Sequence, residues 1–208
     1  MDNPKLMKLH YLFDKGKLKK LEKKSNKMGY ELVSLNRGVA HFRKDGNNFI
    51  TVKGTNVLDI PDLISDFKLG VGISNKDLQF RNRRNEIKRI YKNYDGDNTL
   101  IGHSLGGSII TNAMVKSASI RNNTKDAHAY NTGYTSMFHN ELKEGLTPTE
   151  RKSVKSKLNQ YSAKGDIISN HLRNESIGNV VKVKTPKSNT LLQNHSLDNF
   201  IENNMDDI

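Results

Sequence analysis

The stretch "LIGHSLGGSII", residues 100–110, places a serine between two glycines where an apolar strand meets a helix rich in small residues. The pattern Gly102-x-Ser104-x-Gly106 is typical of a tight strand-to-helix turn, because larger side chains at the flanking positions would collide with neighbouring backbone. The helix that follows directs its first N–H groups towards the serine, so the N–H of Leu105 can donate to an oxyanion. The sequence therefore predicts a nucleophile elbow with Ser104 as the nucleophile.

The chain on both sides of this turn alternates between strand-like and helix-like segments, which favours the catalytic interpretation over a chance occurrence of the pattern. Predicted strands cover residues 29–43, 47–55, 98–104, 126–133 and 179–185, a further one begins at residue 160, and a hairpin turn is predicted at Asp45-Gly46. Predicted helices cover residues 76–94, 105–119 and 148–158, with one or two more within 1–28 and a short one near His195. Because most strands are nearly all apolar, we expect an α/β fold with a central, mostly parallel sheet flanked by helices.

The composition indicates one folded domain with a strongly basic surface. At 208 residues the chain can bury a full hydrophobic core, so we expect a single domain over residues 1–208, beginning with a basic amphipathic helical segment at 1–28. Cysteine is absent, which excludes disulfides and thiolate chemistry. The formal net charge of +12 predicts a surface that attracts polyanions such as nucleic acid or anionic lipid.

The apolar runs of the sequence are short. None has the length that a signal peptide or a membrane-spanning helix needs, so we expect a soluble protein inside the cell that meets a membrane only from the side. The chain is rich in lysine and asparagine, a composition typical of AT-rich genomes such as those of some viruses.

A serine nucleophile needs a general base and an acidic partner, which follow it along the chain in the order acid, then histidine, in this kind of fold. Asp166 follows an apolar stretch and a glycine, where a loop at the end of a strand is expected. The downstream histidines are His128, His139, His171 and His195. His195 follows the last predicted strand and can reach over the edge of the sheet, whereas His171 lies close to Asp166 in the chain. The sequence thus predicts Ser104, Asp166 and His195 as the catalytic residues, with His171 as the rival base.

Four separated blocks of the sequence resemble a known family when taken together. They are "VKGTNVLDIPDLISDF" (52–67), "IGHSLGGSII" (101–110), "AKGDIIS" (163–169) and "HSLDNF" (195–200). In this order they resemble the class 3, fungal-type lipase family of α/β-hydrolases. The resemblance implies a serine esterase that acts on acylglycerols or related lipids, with no metal or organic cofactor.

The resemblance also implies roles for individual residues. The family's elbow serine falls on Ser104, its acid on Asp166 and its histidine on His195, the same three residues that the spacing favours. The family's block of phenylalanine, arginine, glycine and serine or threonine corresponds to residues 52–55. This match implies that Thr55 supplies the second oxyanion donor, beside the N–H of Leu105.

Two features of the chain depart from that family. Lys53 stands where the family has arginine, and the chain contains no tryptophan. The segment available for a lid, about residues 57–75, is short for that purpose. These departures argue against interfacial activation and against long-chain triglyceride as the natural substrate.

We expect a lipid ester as the substrate, peripheral contact with an anionic membrane through the basic segments 1–28 or 76–94, and no specific nucleic-acid partner. Two other classes of protein stay open. One is a catalytically inactive lipase-like protein that binds lipid. The other is a basic, virion-associated protein that binds membrane or nucleic acid. The same triad also serves acyl transfer to an acceptor other than water.

Overall fold

The computed structural model describes residues 2–12, 17–54, 73–133, 142, 144–166, 168–169, 177–186 and 188–201. The described helices are α1 (Asn3–Leu12), α2 (Leu18–Lys27), α3 (Ile73–Asn93), α4 (Leu105–Lys116), α5 (Ala118–Asn123), α6 (Pro148–Lys157) and α7 (Leu191–His195), followed by a 3-10 helix at Leu197–Phe200. The described strands are β1 (Glu31–Asn36), β2 (Val39–Lys44), β3 (Asn47–Val52), β4 (Asn98–His103), β5 (Thr124–Tyr130), β6 (Leu158–Ala163) and β7 (Asn179–Val183).

The seven described strands form one sheet in the order β1-β2-β3-β4-β5-β6-β7. The first three strands pair antiparallel as a meander, and every pair from β3 to β7 is parallel. Helix α3 connects β3 to β4, helices α4 and α5 connect β4 to β5, and helix α6 lies between β5 and β6. The prediction of an α/β fold with a mostly parallel sheet flanked by helices is confirmed. Among the described residues no helix combines the length and the apolar character needed to cross a membrane.

The structure corrects two predicted element boundaries. The single strand predicted at 29–43 is two strands, because Arg37 and Gly38 adopt left-handed backbone conformations (φ 51° and 73°) that reverse the chain between β1 and β2. The single helix predicted at 105–119 is two helices, because Ser117 is extended (φ −137°, ψ 106°) and its hydroxyl accepts the N–H of Ile120 to begin α5. The predicted hairpin at Asp45-Gly46 joins β2 to β3.

The core has two layers, one on each face of the sheet. Successive residues of a strand point to opposite faces, and Leu100 belongs to one apolar cluster while Ile101 belongs to the other. Helices α3, α4, α5 and α6 contribute to the first cluster, and α1, α2 and the 3-10 helix contribute to the second. The N-terminal helices and the segment after α7 therefore cover the same face of the sheet.

The parallel arrangement brings four chain segments to one edge of the sheet. Strands β3, β4, β5 and β6 run in the same direction, so the residues that follow them meet at their carboxyl ends. These residues include Gly54, Ser104, Asn131 and Asp166. Ligand sites of open α/β sheets lie at this edge.

Candidate active site

Ser104 occupies the turn between β4 and α4. Its backbone has φ 55° and ψ −126°, a conformation that a residue with a side chain adopts at an energetic cost. Its N–H donates to the carbonyl of Tyr130 at 2.9 Å, and its own carbonyl accepts the N–H of Gly107 at 3.0 Å. The turn is thus fixed on one side to the end of β5 and on the other to the first turn of α4.

The glycines of this turn lie where the backbone is too crowded for a side chain. A Cβ on Gly102 would lie 2.6 Å from the carbonyl oxygen of Gly106, and a Cβ on Gly106 would lie 2.0 Å from the carbonyl oxygen of Val52. Real Cβ atoms do not approach backbone so closely, because the overlap is repulsive. Glycine at these two positions lets α4 begin directly against the end of β3.

The chain after β3 passes beside the first turn of α4. A Cβ on Gly54 would lie 2.6 Å from the carbonyl oxygen of His103 and 3.1 Å from the backbone nitrogen of Leu105. The N–H of Leu105 is one of the first-turn amides that have no acceptor within a helix. Thr55, the predicted second oxyanion donor, follows Gly54 and lies outside the described residues.

Asp166 and His195 form a buried, hydrogen-bonded pair. His195 Nδ1 lies 3.0 Å from Asp166 Oδ1, and the two side chains are 2% and 0% exposed. An ionised carboxylate only accepts hydrogen bonds, so Nδ1 carries the proton and Nε2 of the neutral ring keeps a free lone pair. That Nε2 is buried and has no hydrogen-bond partner in the part of the chain that the structure describes. This is the state of the imidazole that a general base requires.

The loop after β6 keeps the Asp166 carboxylate ionised. Its Oδ1 also accepts the N–H of Ile168 at 3.2 Å, and its Oδ2 accepts the N–H of Ser169 at 3.0 Å and the Ser169 hydroxyl at 2.5 Å. Burial alone would raise the pKa of Asp166. The hydrogen bond from His195 and the positive charge of its ring when protonated, with the bonds from Ser169 and Ile168, outweigh burial and hold this pKa below its ordinary value.

The structure places His195 beside the residue that precedes Ser104. The rings of His103 and His195 are 4.9 Å apart between centroids. Nε2 of His195 makes no hydrogen bond to Ser104 Oγ, since it has no partner among the described residues. Such bonds are often long in ligand-free enzymes and shorten in complexes with substrate. Of the three predicted catalytic residues, Asp166 and His195 are in direct contact, and Ser104 lies on the adjoining turn.

Asn131 is a site residue that the sequence did not predict. It follows β5 with a left-handed backbone (φ 45°) and is fully buried. Its Nδ2 donates to the carbonyl of Asn194 at 3.0 Å, and its Oδ1 accepts the N–H of Ala163 at 2.9 Å and lies 3.3 Å from the Ser169 hydroxyl oxygen. Asn131 thereby connects the loop that carries Asp166 to the helix that carries His195. The available signal was weak, because the strand was predicted to run through residues 126–133; it was an asparagine, which tolerates a left-handed backbone, near the end of that strand.

Tyr11 and His103 are two further site residues that the sequence did not predict. The Tyr11 hydroxyl lies 2.8 Å from the nitrogen of Gly54 and 3.1 Å from His103 Nδ1, and His103 Nε2 lies 2.9 Å from the carbonyl oxygen of His195. Burial, with a smaller effect from the neighbouring His195, lowers the pKa of His103 to about 3, so the ring is neutral. Tyr11 and His103 are 92 residues apart in the chain, so no local sequence pattern predicts their contact.

The other downstream histidines do not contact Asp166 in the described residues. His128 is buried in β5, where its ring stacks on Tyr161 with centroids 5.9 Å apart and its Nδ1 lies 3.3 Å from the Tyr161 hydroxyl. His139 and the rival base His171 lie outside the described residues. Within the described ranges, no three or more His, Asp or Glu side chains are grouped so that they could hold a metal ion.

Comparison with protein-family models found no match to this chain, and comparisons with curated proteins and with solved structures found none either. The resemblance to class 3 lipases therefore rests on the four sequence blocks alone.

Proposed function

We propose that this protein is a serine hydrolase that cleaves carboxylic ester bonds of lipids. The observation that carries the proposal is the buried Asp166–His195 pair: Nε2 of His195 has no partner among the described residues, and the His195 ring lies 4.9 Å, between centroids, from the ring of His103, the residue before Ser104. A histidine held by a carboxylate through Nδ1, next to a serine at the start of a helix, is the arrangement that activates a serine hydroxyl. We assign this turn as a nucleophile elbow.

The reaction follows from the roles of these groups. Ser104 Oγ attacks the acyl carbonyl while His195 Nε2 removes its proton, and Asp166 stabilises the imidazolium that forms. The N–H of Leu105, with Thr55 as the second donor, binds the oxyanion of the tetrahedral intermediate. His195 then protonates the leaving alcohol, and a water molecule activated by the same histidine releases the acyl group.

A lipid substrate is supported by the four blocks that resemble class 3 lipases. The net charge of +12 favours phospholipid or another membrane glycerolipid over neutral fat, because it attracts the protein to membrane surfaces that carry anionic lipid. Charge affects association with the surface and does not determine which bond is cleaved.

The experiment compares the native protein with Ser104→Ala on p-nitrophenyl esters of increasing chain length and on vesicles of defined lipids. Ser156→Ala is the matched control, since Ser156 is exposed on α6. We expect Ser104→Ala to lose at least about 10³-fold in kcat, and the control to keep full activity. Absence of turnover by the native protein on both substrates would contradict the proposal and favour a lipid-binding or polyanion-binding protein without catalysis.

A further inference from the structure

Three segments of the candidate site meet at two side chains, Tyr11 and His103. Tyr11 comes from α1, which packs on the face of the sheet opposite to α4. Its hydroxyl bonds the backbone of Gly54 after β3 and the imidazole of His103 at the end of β4. His103 bonds the carbonyl of His195 in turn. One connected set of hydrogen bonds thus runs from the strand end that precedes Thr55 to the predicted base.

The direction of each hydrogen bond in this set is fixed by its neighbours. A backbone carbonyl only accepts, so His103 Nε2 carries a proton and donates it to the His195 carbonyl. Because burial keeps the His103 ring neutral, its Nδ1 has a lone pair and accepts the Tyr11 hydroxyl proton. The Tyr11 oxygen then accepts the N–H of Gly54. Every polar side-chain atom of Tyr11 and His103 has a partner, and no alternative tautomer of His103 preserves all three bonds.

The bond to His195 supports a group that would otherwise lack a partner. His195 is the last residue of α7, and the carbonyl groups at the end of a helix receive no hydrogen bond from an N–H of the same helix. Asn199 Nδ2 donates to the neighbouring carbonyls of Gln193, Asn194 and Ser196, at 2.7, 3.0 and 3.1 Å. The described donor to the His195 carbonyl itself is His103. Its loss would free the backbone of the predicted base.

Tyr11 is itself held firmly. Its ring meets the His103 ring edge to face with centroids 5.5 Å apart, and Lys53 Nζ lies 5.3 Å from the centre of the Tyr11 ring. Burial raises the pKa of Tyr11, so the phenol keeps the proton that it donates. Lys8 on the same helix forms an ion pair with Asp198, three residues after His195. Helix α1 is therefore joined to the segment that bears the predicted base directly by Lys8 and indirectly by Tyr11 through His103.

We propose that Tyr11 and His103 act as positioning residues for His195 and for the backbone that leads to the oxyanion donors. The proposal rests on the proposed function, since it concerns the geometry of the same site. Neither side chain takes part in a chemical step. Their part is to keep the loops after β3 and β4 and the end of α7 in one arrangement.

The test uses Tyr11→Phe, which keeps the ring and removes only the hydroxyl. Tyr91→Phe is a matched control, because the Tyr91 hydroxyl is also buried and bonds Thr124 Oγ1 at 2.8 Å, on a helix that packs in the other apolar layer. Both variants are expected to unfold at similarly lowered temperatures. We expect Tyr11→Phe to lower kcat by about tenfold or more with little change in KM, since small displacements of a reacting group cost this much. Tyr91→Phe should keep kcat within about twofold.

A second readout does not depend on activity. In ¹⁵N NMR spectra of the full chain, we expect His103 as the neutral Nε2–H tautomer, and we expect the His195 ring signals to shift in Tyr11→Phe but not in Tyr91→Phe. Unchanged His195 signals in Tyr11→Phe, or equal kcat in the two variants, would overturn the proposal. If the native protein is inactive while the NMR shifts occur, the proposed function fails and the positioning of His195 stands.

The double variant Tyr11→Phe/His103→Gln tests whether the two residues act together. Groups in one hydrogen-bond network have non-additive effects. The kcat of the double variant should therefore be about the same as that of the less active single variant. Multiplicative losses would show that the residues act independently and would overturn their assignment to one network.

Discussion

Ser104 has two roles in this account: it is the proposed nucleophile, and it adopts the positive φ that the turn between β4 and α4 requires. A positive φ lets the buried Ser104 turn the chain between the end of β4 and the start of α4, and the two flanking glycines make the close approach to Val52 and Gly106 possible. This local pattern was available from the sequence, because it depends on residues within one short stretch. The contacts of Tyr11 were not, because they depend on how α1 packs on the sheet.

Asp166→Asn is expected to lower kcat by about 10³- to 10⁴-fold, because a neutral amide neither stabilises the imidazolium nor fixes the proton on His195 Nδ1. The measurement is ester hydrolysis at saturating substrate, together with circular dichroism to confirm that the variant is folded. Asp97→Asn is the control, since Asp97 is half exposed and forms an ion pair with Lys125. A loss below about tenfold in Asp166→Asn would contradict the assigned role.

Gly106→Ala is expected to destabilise the protein by about 3 kcal/mol or to prevent folding, because the added Cβ meets the Val52 carbonyl at 2.0 Å. Gly46→Ala is the comparison. Gly46 has a positive φ of 77° and nothing within 4 Å of the added Cβ, so only backbone strain of about 1–2 kcal/mol should appear. Equal unfolding free energies in urea for the two variants would show that the turn has room to relax.

At the scale of elements, the sequence predicted the parallel strands and the helices between them well, because the strands are nearly all apolar and the helices are long. Errors arose where one residue ended an element. Arg37 and Gly38 divide the first predicted strand, and Ser117 divides the helix after Ser104. Each break falls in a short stretch without apolar residues, at 36–38 and 116–117, that is too brief to be distinguished by pattern from a polar face of the same element. The pairing of Asp166 with His195 followed from strand order, whereas the bridge by Asn131 required the tertiary structure.

Asn131→Ala is expected to lower the unfolding free energy by about 2–4 kcal/mol, because the Ala163 N–H and the Asn194 carbonyl lose buried partners. It should also lower kcat, since the loops of Asp166 and His195 lose their connection. Asn131→Gly removes the same bonds, and glycine adopts φ 45° without strain. It should therefore lose as much kcat as Asn131→Ala and be somewhat more stable than Asn131→Ala. Asn123→Ala, on an exposed helix end, is the control. Full activity in both Asn131 variants would contradict the bridging role.

At the scale of the whole molecule, buried histidines make stability depend on pH. Burial lowers the pKa of His41, His103 and His128. Below about pH 6.5 the unfolded chain therefore binds more protons than the folded protein, and the unfolding free energy falls as pH falls, by up to about 1.4 kcal/mol per pH unit for each group. Urea unfolding at pH 7.5, 6.5 and 5.5 measures this slope. His128→Gln should reduce the slope, and a flat profile would contradict burial of neutral rings.

Helix α2 is strongly basic, with five lysines and one glutamate in its ten residues. Its exposed lysines lie on the faces away from the buried Leu21 and Ser25; they are Lys19, Lys20, Lys23, Lys24 and Lys27, with Lys17 just before the helix. This surface favours binding to anionic lipid that weakens as salt rises, because the attraction is electrostatic.

A fourfold lysine-to-glutamine change at Lys19, Lys20, Lys23 and Lys27 should weaken binding to phosphatidylglycerol vesicles by about 10²-fold or more. The charge-matched control changes four exposed lysines outside the basic segments 1–28 and 76–94; they are Lys116, Lys152, Lys155 and Lys184. Vesicle flotation at low and high salt measures both. Equal losses in the two variants would show that net charge acts without a preferred face, and tighter binding to nucleic acid than to vesicles would contradict the lipid partner.

The central claim is that Ser104 is a nucleophile activated by His195. The most direct measurement is reaction of the native protein, Ser104→Ala and His195→Ala with a fluorophosphonate, followed by mass spectrometry of the modified peptide. We predict a single adduct on Ser104 in the native protein, none in Ser104→Ala, and labelling slowed at least about 10³-fold in His195→Ala. An unlabelled native protein, or an adduct on another residue, would contradict the claim.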